Sequence, residues 1–90
     1  MTAQGRFQVV NERGLHARAA AKLVTLASRY QSAVWVARDG ERANAKSVMG
    51  VLLLCGAQGT WLDVEATGDD AEAAVAALGA LIEAGFDEGG

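Results

Sequence analysis

Cysteine and histidine are each present once in this chain of 90 residues, as Cys55 and His16. A lone cysteine excludes an internal disulfide and fits a reducing compartment. With no second histidine or cysteine and no acid cluster beside His16, neither a metal site nor a bound cofactor is expected. No serine or cysteine adjoins His16 as a nucleophile. Long apolar runs are also missing: Val51-Leu52-Leu53-Leu54-Cys55 is far short of a membrane span. The N-terminus shows no charged-then-apolar leader pattern. No basic residue follows Lys46. Linkers, repeats and low-complexity tracts are lacking, so residues 1–90 read as one domain, cytoplasmic and with nothing that calls for more than a monomer.

The apolar share of 51% is ample for a core. Charge is unevenly spread. Residues 1–46 hold all eight bases against Glu12, Asp39 and Glu41, a net of +5, while residues 47–90 hold eight acids, a net of −8. If the halves occupy different surfaces, the basic one attracts an acidic partner or a phosphate group. Solvated helix faces account for the same asymmetry. Nucleic acid is a poor candidate, because the acidic half opposes it and the basic half has no groove-reading or base-stacking motif.

Hydrophobic periodicity predicts seven elements. Phe7-Gln8-Val9-Val10 reads as a strand with Phe7 and Val9 inward, and Gly14 closes the turn after it. A helix follows from about Ala17 to Arg29, with Ala20, Leu23, Val24 and Ala27 as its apolar stripe. Ala33 to Ala37 reads as a strand, Asp39-Gly40 as a hairpin turn, and Glu41 to Asn44 as the return. A short helix from Ser47 to about Leu54 would place Val48, Val51, Leu52 and Cys55 on one side and end at Gly56. Thr60 to Ala66 alternates, with Leu62, Val64 and Ala66 inward. The last helix reads as capped by Asp69 with Glu72 three residues on; Val75, Leu78 and Ile82 face the core and Gly85 ends it.

The order βαββαβα needs a right-handed crossover between parallel first and second strands, with the fourth strand inserted between them. The expected fold is α+β: an open-faced sandwich of a four-stranded, mainly antiparallel sheet with three helices on one face. Trp35 and Trp61 fall on the open face, where a cross-strand aromatic pair would cover bare sheet.

Gly14-Leu15-His16-Ala17-Arg18 carries the chemistry. His16 falls where the first helix begins, beside free backbone N–H groups and the positive end of the helix dipole. A neutral ring there has a nitrogen free to attack phosphorus, and the dianion added would sit at an anion-binding helix end. Arg18 suits a clamp on phosphoryl oxygens, or a partner's carboxylates. Position alone also suits an ordinary surface histidine and a solvated arginine. Ser47 suits the cap of the second helix. Phosphorylation there would set new charge beside Val48, Met49 and Leu52, an apolar patch of which a short helix cannot bury every member.

At these residues the chain resembles the HPr family, the histidine phosphocarriers of the phosphoenolpyruvate-dependent phosphotransferase system. Gly14 to Arg18 is similar to that family's active-site motif, and Lys46-Ser47 with the apolar helix after it is similar to its regulatory-serine region. Val64-Glu65-Ala66-Thr67-Gly68 through Gly85-Phe86-Asp87-Glu88 most resembles the nitrogen-related branch, NPr. The resemblance implies a stoichiometric carrier rather than an enzyme. It implies that His16 accepts a phosphoryl group at Nδ1 from enzyme I and passes it to an enzyme IIA-type protein, with Arg18 stabilising it. It further implies Ser47 as target of an HPr kinase/phosphorylase, and Val48, Met49 and Leu52 as docking residues. The accepting histidine is expected to be shallow and exposed. The family usually has proline where this chain has Ala19; some nitrogen-branch sequences resemble this one in lacking that proline, and alanine restores an N–H at the helix start. The alternative from the same residues is a non-catalytic, HPr-like interaction module controlled by Ser47 phosphorylation.

Overall fold

Alternating inward residues build the sheet and 3.6-residue stripes build the helices that cover it. The computed structural model describes residues 1–88. Its elements are β1 (Thr2–Gln8), α1 (Ala17–Ala27), β2 (Ala33–Arg38), β3 (Glu41–Asn44), α2 (Val48–Leu53), β4 (Trp61–Thr67) and α3 (Ala71–Glu83), then a 3-10 turn, Gly85–Asp87. The sheet order is β1-β4-β2-β3. Every neighbouring pair is antiparallel, so β1 and β2 run parallel with β4 between them. This is the open-faced arrangement predicted from the element order.

The core lies between the sheet and the helices. Leu62, Val64 and Ala66 of β4 and Val34 and Val36 of β2 are buried against Leu23 of α1 and Leu78 and Ile82 of α3. Each fully buried Val, Leu or Ile among them contributes about 1.5–3 kcal/mol. Asp39 and Gly40 both take positive φ, 50° and 85°, as the two-residue hairpin between β2 and β3 requires.

Four expectations are corrected. First, β1 begins at Thr2 and ends at Gln8, not at Phe7 and Val10. Its inner face is Ala3, Gly5 and Phe7, and small residues give no hydrophobic alternation. Gly5 and Gly79 leave room for the Phe7 ring; a Cβ on Gly79 would lie 2.3 Å from Phe7 Cζ. Val9 is nonetheless buried, just beyond the strand. Second, α2 stops at Leu53, Cys55 takes φ 52°, and its side chain is exposed rather than inward. The Leu54 carbonyl instead accepts from Arg38 Nε at 2.5 Å, and Leu54 is the buried residue. Third, Asp70, not Asp69, precedes α3, and its carboxylate does not cap the helix. It accepts from Gln31 N, Ser32 N and Ser32 Oγ at 2.9, 2.9 and 2.5 Å, joining the loop before β2 to the start of α3.

The fourth correction concerns the tryptophans. Register puts Trp35 opposite Glu65, four residues along β4 from Trp61 and roughly 13 Å away. They do not pair. Arg42 lies over Trp35, 4.3 Å from the ring centroid, and Arg6 over Trp61 at 5.4 Å. The same arginines meet acids of β4, Arg42–Glu65 at 3.0 Å and Arg6–Asp63 at 3.8 Å. Because β4 is inserted between β1 and β2, the basic and acidic halves of the chain interleave on this face rather than segregating.

Candidate functional site

The loop from Asn11 to Leu15 is stitched to the segment after α2. Gly14 has φ 63°, and a Cβ there would stand 2.3 Å from the Gly56 carbonyl oxygen. Glycine is therefore required twice over, by conformation and by close approach. Leu15 N donates to Gly56 O at 2.8 Å, and the Leu15 side chain is buried over Gly56. Asn11, 2% exposed, donates from Nδ2 to Gly14 O at 2.9 Å. This brace delivers His16 to the start of α1.

His16 is the N-cap of α1, with extended backbone (φ −75°, ψ 177°). Its carbonyl accepts the first intrahelical bond, from Ala20 N at 2.9 Å. The N–H groups of Ala17, Arg18 and Ala19 precede that bond and point out of the helix end. Arg18 N donates to His16 Nδ1 at 3.2 Å. The imidazole thus stands in for the usual serine or aspartate cap, its Nδ1 lone pair turned toward the helix N–H groups. An anion attached to Nδ1 would meet those donors and the positive end of the helix.

The other ring nitrogen, Nε2, contacts the carboxylate of Glu88, 72 positions away in sequence. Glu88 also accepts from Asn11 Nδ2 at 2.9 Å. Phe86, fully buried with φ 56°, anchors this end of the chain, and its carbonyl accepts from Lys22 Nζ at 2.7 Å. Burial pushes the Glu88 carboxyl up, but hydrogen bonds from His16 and Asn11 and the charges of His16 and Lys22 outweigh it and hold it below the usual carboxylate range. The His16 side chain is 22% exposed as a result, half-buried rather than open. Glu88 was not singled out from sequence. The signal available was an apolar residue, Phe86, just past the glycine that ends α3.

Arg18 is exposed; its backbone, not its guanidinium, touches His16. With Arg13 and Lys22 it lines a shallow groove of about 430 Å³ whose other walls are the acids Glu12, Asp87 and Glu88. Ser47 caps α2 as expected, its hydroxyl accepting from Gly50 N at 3.2 Å, and it belongs to a separate hydrogen-bond set from His16. Of the apolar residues beside it, Val48 and Met49 are exposed, while Leu52 is half-buried and packs on the core. Leu53, 71% exposed, completes the outward patch with Met49. A six-residue helix with Val51 inward turns Leu53 out, which periodicity extended through Cys55 obscured. Among the described residues no group of three or more His, Cys, Asp or Glu is placed to hold a metal ion, and no helix is long and apolar enough to cross a membrane.

Residues 3–84 match the family described as PTS HPr component phosphorylation site. The chain is 43% identical over 83 residues to phosphocarrier protein HPr of Neisseria meningitidis serogroup A, covering 92% of this chain and 93% of that one. It is equally, 43%, identical over 89 residues to phosphocarrier protein NPr of Proteus mirabilis, covering 98% and 99%. A crystal structure of HPr-C-His from Thermoanaerobacter tengcongensis superposes with a TM-score of 0.91 at 43% identity, covering 96% of this chain and 97% of that one.

Proposed function

The chain belongs to the HPr family, whose members are phosphocarriers of the phosphotransferase system, and from that premise we propose that His16 is its phosphoryl acceptor. The group arrives on Nδ1 from phosphorylated enzyme I and leaves to a histidine of an enzyme IIA-type protein. The observation that carries this reading is the His16 cap: Nδ1 faces the Arg18 N–H at the open end of α1, so attachment and anion binding coincide at one atom. Arg18 supplies a mobile charge toward the phosphoryl oxygens, and the Ala19 N–H adds a donor that the family's usual proline lacks. Exposed Val48, Met49 and Leu53, with the edge of Leu52, form the docking surface. Ser47, at its border, is the site at which an HPr kinase/phosphorylase would add charge. The protein acts as a cytoplasmic monomer, a single carrier domain consumed and regenerated stoichiometrically.

The nitrogen-related branch is the reading we favour, on an NPr similarity that spans 98% of this chain. That reach takes in the C-terminal turn that meets His16.

Intact mass after incubation with phosphoenolpyruvate and a cognate enzyme I tests the proposal. An acid-labile gain of one phosphoryl group is expected, absent from His16→Ala. No gain with an active enzyme I would refute it and favour a regulatory interaction module.

A further inference from the structure

We propose that Glu88 is a positioning residue for phosphoryl transfer at His16: its carboxylate holds the proton on Nε2 and compensates the charge that develops on the ring as Nδ1 bonds to phosphorus. This rests on the carrier role of His16 and adds a residue to it.

The two ring nitrogens have opposite partners. Nδ1 receives a hydrogen bond from Arg18 N, while Nε2 meets the Glu88 carboxylate. One neutral tautomer satisfies both, with hydrogen on Nε2 and the lone pair on Nδ1. Arg18 N favours that tautomer from the Nδ1 side and the carboxylate favours it from the Nε2 side; without the carboxylate one of the two is lost, and the fraction of rings able to attack through Nδ1 falls. Glu88 is itself held. One oxygen accepts from buried Asn11, and the turn bearing it is pinned by buried Phe86 and by Lys22 on the Phe86 carbonyl. A carboxylate fixed in advance does not have to reorganise when the ring changes charge. Its lowered pKa keeps it ionised at neutral pH.

The step balances without a further reactant. The Nδ1 lone pair forms the N–P bond, and the P–N bond of the donor's phosphohistidine breaks with its electron pair passing to the donor nitrogen. No proton leaves His16, so the ring becomes cationic, with Nε2–H directed at Glu88. On transfer to the acceptor the N–P pair returns to Nδ1, and a neutral imidazole departs. Were Nε2 bare, the leaving group would be an imidazolate, far more basic and correspondingly slower. The carboxylate role matches that of the acid behind a catalytic histidine, which orients the ring and stabilises its cation without taking the proton. The negative charge of Glu88 stands at the nitrogen that does not carry the phosphoryl group, and its groove holds three bases, Arg13, Arg18 and Lys22, against two further acids, Glu12 and Asp87.

Glu88→Gln isolates this role. Glu88 accepts at two oxygens from two donors, Asn11 Nδ2 and His16 Nε2; in the amide one of these two positions becomes an NH2 group facing a donor, and the charge beside the ring is lost. The ring is read by 15N chemical shifts of His16, and reactivity by uptake from phosphoramidate, a small donor that needs no partner protein. Glu88→Ala is run beside it, with circular dichroism and thermal melting to establish folding. Mixed ring tautomers and uptake slowed roughly three- to tenfold are expected in both variants. An unchanged ring signature or an unchanged uptake rate in a folded variant overturns the assignment. Phosphoramidate chemistry that responds to Glu88 in a protein that enzyme I does not phosphorylate would instead count against the carrier reading alone.

Discussion

Substituting Gly14 by alanine separates the two demands placed on that position. The conformational demand is φ 63°, and an L-residue held there costs about 1–2 kcal/mol. The steric demand is the Gly56 carbonyl oxygen, 2.3 Å from where the Cβ would be. That neighbour is backbone and is itself accepting from Leu15 N at 2.8 Å, so it cannot rotate away as a side-chain tip would. Relief of such overpacking costs about 1–3 kcal/mol more. Gly14→Ala should therefore lose about 2–5 kcal/mol. Gly40→Ala is the control: φ is 85°, yet nothing lies within 4 Å of its Cβ, so only the conformational part, about 1–2 kcal/mol, applies. Urea unfolding of the two variants measures the difference, which is worth about 1 M or more in midpoint for a small domain. Because Gly14 carries the loop that places His16, uptake of the phosphoryl group from enzyme I should fall in Gly14→Ala and persist in Gly40→Ala. Equal stability of the two variants, within about 0.5 kcal/mol, would show that the Gly56 contact does not constrain the loop.

Two further outcomes are expected. Ser47→Ala removes the cap of α2 and should lower stability by about 1 kcal/mol, some 4–8 °C in thermal midpoint for a domain of this size, whereas Ser47→Asp keeps an acceptor for Gly50 N and should melt close to the parent protein. Asp70 is held below the usual carboxylate range, by the Ser32 hydroxyl first and then by Gln31 N, against the opposing effect of burial. A carboxyl lowered by folding contributes stability that is fully present above its unfolded pKa and is lost as pH falls through the folded one. Asp70→Asn should therefore lower the melting temperature at pH 7, and the gap should close below about pH 4; a gap constant with pH would show that the ionised carboxylate is not what joins Ser32 to α3.

Features set by neighbours in sequence were legible before the structure. The α1 stripe, the Asp39-Gly40 turn, the alternation of β4 and the place of His16 at a helix start all depend on spacing within about a dozen residues, which periodicity and cap chemistry report directly. Small residues defeat that reading in β1, where Ala3 and Gly5 face inward and the Phe7 ring fills the space above Gly5. The remaining differences arise where a side chain has two possible partners and the fold supplies the second. Asp70 could have capped its own helix but is taken by Ser32. Trp35 and Trp61 share a face, but register sets them apart and gives each an arginine. Glu88 reads as one more acid in an acidic ending until buried Phe86 turns the chain back onto α1 and brings its carboxylate to His16. Sequence determined that a histidine would stand at the mouth of a helix, because a helix start is a local event. Tertiary structure alone decided what faces its other nitrogen, because that contact is closed by packing between opposite ends of the chain.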